Sequence, residues 1–179
     1  GEAHKLRQAY NEAIEELRLA LKLRPDEPEL YEAIGHAYLL KNSLEEARVE
    51  LEKALELDPS RARSLFLLGR LYANRREEEQ AIPYLQKALR RDPGLLEARA
   101  SLGTAYRRLG QAALAVPELE KAASQDFYGD LHYQLYLAYR QLGKEELAQK
   151  ALAQSQELRR SSAARHQARV AGVSEIEGD

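Results

Sequence analysis

Residues 62–95 read ARSLFLLGRLYANRREEEQAIPYLQKALRRDPGL. Leu68-Gly69, Tyr72, Ala81, Leu85, Ala88 and Pro93 stand along them in that order. The same order precedes this stretch as Ile34-Gly35, Tyr38, Ala47, Leu51, Ala54 and Pro59, and follows it as Leu102-Gly103, Tyr106, Ala115, Leu119 and Ala122. Gly35, Gly69 and Gly103 are spaced 34 residues apart. A fixed period of this length marks a stacked array, in which each unit buries its apolar face against its neighbours. The apolar residues within each unit recur at gaps of three and four, so the units are helical.

Composition excludes more than it identifies. Of 179 residues, 27 are Lys or Arg and 29 are Asp or Glu, a net charge of −2. Such a balance gives no global field that would draw the chain to nucleic acid or to an anionic membrane. No apolar run approaches the roughly 20 residues that span a bilayer, and no signal-peptide pattern opens the sequence. With no Cys there are no disulfides, no thiolate chemistry and no Cys-ligated zinc. The sequence assigns no compartment.

Outward from the central unit, residues 28–61 predict two helices joined at Lys41-Asn42-Ser43, with Pro28 in the first turn of the first helix. Ser43 followed by Glu46 predicts a capping box on the second, and Asp58-Pro59 ends it. The small residues Gly35, Ala37, Ala47 and Ala54 let neighbouring helices approach, while Ile34, Tyr38, Leu51 and Leu55 fill the space between them. Residues 1–27 match only the second half of a unit, since Ala13, Leu17, Ala20 and Pro25 align with Ala47, Leu51, Ala54 and Pro59. Two readings stay open for them: a helix of a longer array, or an N-terminal capping helix.

Later units depart from the pattern. Pro83 and Pro117 occupy one register position, which predicts a tolerated kink shared by duplicated units. In residues 96–129 the closing Asp-Pro becomes Asp126-Phe127, and the next unit, 130–158, is one residue short. Tyr136 stands there where the other units carry Gly, predicting a looser junction. The final helix, from about Lys144, meets no Gly or Pro until Gly172. Beyond Leu158 the apolar stripe fades into 159–179, where Arg159, Arg160, Arg165 and Arg169 are expected to complement a helix C-terminus. This tail reads either as an extension of the last helix or as a flexible segment that orders against another molecule.

These residues resemble the tetratricopeptide repeat family, whose pattern joins a Leu-Gly pair, a Tyr, two Ala around a large residue and a terminal Pro. The resemblance covers about residues 1–158, with a bacterial look. It implies an all-α solenoid of stacked helix-turn-helix repeats in a right-handed superhelix. It also implies a protein-interaction scaffold whose first helices line a concave groove for a peptide or helix of a partner. The alternative is self-association through an end helix or the C-terminal tail.

Carried over residue by residue, the family's groove positions fall at Glu29, Glu32, His36, Leu39 and Leu40, then at Arg63, Phe66, Arg70, Ala73 and Asn74. In the third unit they fall at Glu97, Ala100, Thr104, Arg107 and Arg108, and in the fourth at Asp130, Tyr133, Leu137, Arg140 and Gln141. The favoured contact set is Glu32, His36, Phe66, Arg70, Thr104, Arg107, Arg108, Tyr133, Leu137 and Arg140. Phe66 and Tyr133 are read as surface anchors, with packing inside the LFLLG run as the open alternative for Phe66. Arg70, Arg107, Arg108 and Arg140 favour an acidic or carboxylate-bearing partner, because guanidinium pairs with carboxylate through two parallel hydrogen bonds. The Lys/Asn/Arg clamp of chaperone-adaptor members is not intact, since Glu32, His36, Phe66 and Arg70 stand at those positions.

Catalysis requires convergent groups, and the sequence supplies none. His4, His36, His132 and His166 lie in different units without metal-site spacing, so no metal or cofactor is expected. His36 and Glu32 read as a surface i,i+4 pair. Acidic pairs such as Glu45-Glu46 sit at helix starts, and the glycines are dispersed rather than gathered into a phosphate loop. Scattered Arg in a slightly acidic chain does not make a nucleic-acid surface.

Overall fold

The computed structural model describes residues 1–176, which fold as helices α1 (Glu2–Leu23), α2 (Pro28–Leu40), α3 (Leu44–Leu57), α4 (Ala62–Asn74), α5 (Glu78–Arg91), α6 (Leu96–Arg108), α7 (Ala112–Ala122), α8 (Asp130–Gln141) and α9 (Glu145–Ile176). A 3-10 turn at Ala123–Gln125 follows α7, and no strand occurs among the described residues. The fold is the all-α array of helical hairpins expected from the period. It divides into two compact units, Gly1–Ser101 and a second from Leu102 onward, with α6 contributing residues to both.

Within the first unit, the spacing of small and large residues sets the packing. A Cβ built on Gly35 would lie 2.7 Å from Leu51 Cγ, and one on Gly69 would lie 2.6 Å from Leu85 Cγ. Leu51 and Leu85 are fully buried on those bare backbones, flanked by the equally buried pairs Ala47/Ala54 and Ala81/Ala88. Burying one Leu side chain stabilises by about 1.5–3 kcal/mol, and the missing Cβ allows it. Each hairpin turn closes alike: Ser43 N–H donates to Tyr38 O at 2.9 Å and Glu77 N–H to Tyr72 O at 3.0 Å. These are Schellman closures, with Asn42 and Arg76 in the left-handed region at φ 62° and 63°. The capping box at Ser43 does not form. Ser43 makes no side-chain cap bond, and its carbonyl instead accepts the Ala47 N–H at 3.0 Å. The Glu45 carboxylate turns to Arg48 and Arg75.

The helix α1 packs one face on α2, with Ile14, Leu17 and Leu21 against Ile34, Ala37 and Tyr38. Its other face is open. Ala13 is exposed and Leu17 half-buried, whereas their register equivalents Ala47 and Leu51 have no exposed surface.

In the second unit, Gly103 faces Leu119 as Gly69 faces Leu85, with a built Cβ at 2.7 Å from Leu119 Cγ. Ala115, Leu119, Leu135, Ala138, Tyr139, Ala148 and Ala151 form the core. Leu152, the register equivalent of Leu119, is only half-buried, because Tyr136 occupies the position opposite that is Gly elsewhere. The looser packing expected there is present. Helices α5 and α7 continue through Pro83 and Pro117.

Asp126 extends what Asp58 and Asp92 do in the earlier units, where the Asp Oδ1 accepts the Ser60 and Gly94 N–H groups at 2.9 Å. Its Oδ1 accepts the N–H groups of Gly129 at 2.8 Å and Asp130 at 3.1 Å. Its Oδ2 accepts the His132 N–H at 2.9 Å and lies 2.8 Å from His132 Nδ1. The carboxylate thus satisfies donors that the start of α8 would otherwise leave unpaired. Burial alone would raise its pKa, but these bonds, those from His132 foremost, outweigh it and hold the pKa below the usual range. Gly129, at φ +81°, is pressed onto α9: a Cβ there would lie 2.3 Å from Ser155 O, and Ser155 Oγ donates to Gly129 O at 2.6 Å.

The helix α9 does not stop at Gly172 but runs through it to Ile176. Arg159 and Arg160 therefore lie in mid-helix, and the end-of-helix role expected of them is withdrawn, since the dipole's influence fades within the last turn. The Arg169 side chain and residues 177–179 lie outside the described residues.

Candidate partner-binding surface

The expected contact residues are taken unit by unit. In the first, α2 and α4 present Glu32, His36, Phe66 and Arg70. The carboxylate of Glu32 is committed within the fold: Ser64 Oγ donates to it at 2.6 Å and Arg61 Nε at 3.3 Å. Arg61 also pairs with Glu29. Glu32 therefore braces α2 against α4 rather than offering a free acid.

Phe66 is only 2% exposed, which corrects its expected role as a surface anchor. The LFLLG run is buried almost throughout, because α4 is covered along both flanks. Phe66 instead forms the floor beneath Arg70, whose guanidinium carbon sits 5.5 Å from the ring centroid, a cation–π arrangement. Leu39 is likewise buried.

Among the first unit's groove positions Glu29 and Leu40 are exposed. His36 and Arg70 are half-buried and Arg63 is exposed. Burial first, then Arg70 and Arg63, push the His36 pKa below its ordinary value, with Glu32 opposing. For Arg70, burial first and then Arg63 disfavour the charged form, with Glu97 opposing. Among the described residues no carboxylate reaches ion-pair distance of Arg70. A half-buried guanidinium without a carboxylate, beside a second one, is a place where an anion is favoured.

In the second unit, Arg107, Leu137, Arg140 and Gln141 line one open depression of about 310 Å³. Three of these belong to the expected contact set. Arg107 Nε donates to Gln134 Oε1 at 2.7 Å, and its carbonyl accepts Gln141 Nε2 at 3.3 Å, so α6 and α8 are tied together at that point. Arg140 lies over the Tyr136 ring at 5.9 Å. Thr104 is half-buried and Arg108 exposed. Tyr133 is part-exposed at 36%, in keeping with a surface position, but its ring is already covered by Arg159 at 5.3 Å and tilted on Tyr136 at 5.7 Å.

The groove positions do not include the most exposed aromatic pair, Phe127 and Tyr128, which are 64% and 65% exposed. The signal was present in the sequence as the loss of Pro after Asp126. Among the described residues no group of His, Cys, Asp or Glu is arranged to hold a metal ion, and no helix is long and apolar enough to cross a membrane.

Comparison with known proteins bears on the fold and the family. A family profile described as TPR repeat matches residues 1–42 and 35–75. Two profiles described as tetratricopeptide repeat match residues 62–95 and 80–130. No curated protein matches the sequence. Similar solved structures include one described as MamA, at 24% identity over 92% of this chain and 98% of that one, with a TM-score of 0.74. Another is YrrB, described as a TPR protein with an unusual peptide-binding site, at 24% identity over 87% of this chain and 82% of that one, TM-score 0.68. A MamA RS-1 double mutant gives 21% identity over 90% and 97%, TM-score 0.74. At these identities the structures establish the shared fold alone.

Proposed function

This chain belongs to the tetratricopeptide repeat family, and from that premise we propose that it is a non-catalytic interaction scaffold that holds an acidic segment of a partner protein. The observation that carries the proposal is the cluster of His36, Arg63 and Arg70 on α2 and α4, in which Arg70 is half-buried on Phe66 and has no carboxylate of its own. Arg61, at the N-terminal end of the same helix, shows what a committed arginine looks like in this protein, held by Glu29 and Glu32. A bound carboxylate would do for Arg70 what those residues do for Arg61. In the second unit, the depression at Arg107, Leu137 and Arg140 supports the same reading, joining an apolar contact to a cationic rim. Phe66 acts from below as support.

The test is capture of partners by wild-type protein and by Arg63→Glu and Arg70→Glu variants, followed by titration with the captured segment. The expected result is loss of capture in both variants at unchanged thermal stability. Equal capture by all three would reject this surface.

A second reading, self-association through an end helix, is supported by the exposed apolar side chains of α1, of which Leu6 and Leu19 are more than half exposed. Sedimentation across a concentration series tests it: a single monomeric species at every concentration removes it.

A further inference from the structure

A separate cavity of about 790 Å³ lies in the second unit, between the α7–α8 loop and the latter half of α9. Its walls include Phe127, Tyr128, Asp130, Arg159, Arg165 and His166. None of these except Asp130 is a groove position. We propose that this cavity is a second partner site, which takes an acidic peptide segment carrying a large apolar side chain.

The first observation is that the exposed aromatics are held in place. Asp126 anchors the loop that carries them through bonds to Gly129, Asp130 and His132. Gly129 is locked against Ser155 on the far side, with no room for a Cβ. Arg165 donates to the Phe127 carbonyl at 3.3 Å. Two adjacent aromatic rings left in solvent on a braced loop cost little ordering entropy on binding, which is what an anchor requires.

The second observation is charge. Arg159 is offset by Asp130 at 3.2 Å. Arg165 has no carboxylate partner among the described residues, and His166 beside it is exposed. The cavity therefore presents apolar rings with an unbalanced cation at its edge. A peptide acid can meet Arg165 while an apolar side chain covers Phe127 and Tyr128. A lipid surface fits less well, since such recognition uses clusters of about four to eight basic residues on a flat face. Nucleic acid calls for a continuous basic stripe, and Asp130 interrupts one here.

Selection of a random dodecapeptide phage library on the full chain, with counter-selection on a Phe127→Ala/Arg165→Glu variant, tests the proposal. Both substituted side chains are exposed, the variant loses only the bond from the Arg165 guanidinium to the Phe127 carbonyl, and circular dichroism checks that it folds. The expected outcome is a pool specific to wild type, enriched in Asp and Glu together with Leu, Ile or Phe. Fluorescein-labelled members of that pool should bind at least tenfold more weakly to each single variant and unchanged to Arg70→Glu, which separates this site from the groove. Absence of a wild-type-specific pool, a pool without acidic residues, or binding to either Phe127→Ala or Arg165→Glu as tight as to wild type would overturn the proposal. So would binding to phosphatidylserine vesicles or concentration-dependent dimerisation that is lost in the same variants.

Discussion

Replacing Gly69 with Ala should destabilise the protein, although an Ala in mid-helix ordinarily stabilises it. Ala is favoured over Gly by about 1 kcal/mol in a helix interior. Against this, the new Cβ would stand 2.6 Å from Leu85 Cγ and 2.7 Å from its Cδ2, both in a side chain with no exposed surface. Relieving that overlap means forcing Leu85 from its rotamer or separating α4 from α5, at about 1–3 kcal/mol for overpacking in a close-packed core. Ala81 O at 3.3 Å closes the remaining direction. The net expectation is a loss of up to about 2 kcal/mol. Leu85→Ala alone should cost about 2–5 kcal/mol through the cavity it leaves. The double variant should cost less than the sum, because the Ala methyl then occupies space that Leu85 vacated. Urea unfolding followed by circular dichroism measures all three, with hydrogen exchange on α4 and α5 reporting the local effect in a repeat protein that need not unfold as one unit. A stabilised Gly69→Ala variant, or additive losses in the double variant, would refute the packing argument.

Three further outcomes are expected. Gly129→Ala meets backbone rather than a flexible side chain, 2.3 Å from Ser155 O at a positive φ, so it should cost more than Gly69→Ala and open the α8–α9 contact to hydrogen exchange first. Asp126→Asn should lose about 1–3 kcal/mol at neutral pH from its charge-assisted bonds. Because the native pKa of Asp126 is depressed, the wild-type advantage over this variant should be full above the ordinary carboxylate value and disappear as pH falls through the native one, as urea midpoints across that range will show. His36 also has a depressed native pKa, so the unfolded chain takes up its proton first. Wild-type stability should fall as pH drops below 6.5, and a His36→Gln variant should lack that increment. An acidic partner would favour protonated His36, so its affinity should rise over the same interval, as calorimetry in two buffers can check.

The array was legible because packing demands it. Gly35, Gly69 and Gly103 are bare for one reason, the Leu opposite each, and a 34-residue spacing is enough to find them. The loose contact at Tyr136 followed from the same logic. Other features depended on where side chains turn, which spacing does not encode. Ser43 and Glu46 satisfy the capping-box pattern, yet Glu45 pairs with Arg75 from the next hairpin and the box stays unformed. Phe66 looked exposed by register and is buried on a helix whose residues Ser64, Leu65, Leu67, Leu68 and Gly69 are all buried as well. The loss of proline after Asp126 was legible, but the role of Asp126 itself appears only when the N–H groups of α8 are seen converging on it.

Comparison among the repeats separates what the fold requires from what it leaves free. At the crossing point the chain keeps Gly35, Gly69 and Gly103, and opposite them Leu51, Leu85 and Leu119. One residue further along the same helices it places His36, Arg70, Thr104 and Leu137: a titratable ring, a permanent cation, a hydroxyl and a hydrocarbon. Neighbouring positions on one helix share propensity and local backbone, so helix formation cannot account for uniformity at one and diversity at the next. The glycine faces a buried Leu, and its replacement is penalised by overlap. The residue after it is only half-buried in every unit, and its chemistry is not dictated by packing. Diversity where packing imposes no choice leaves each repeat free to carry its own chemistry for recognition. If this is correct, exchanging His36 and Thr104 should leave the unfolding midpoint nearly unchanged while altering which segments are captured. A large loss of stability on that exchange would mean that these positions serve the fold after all.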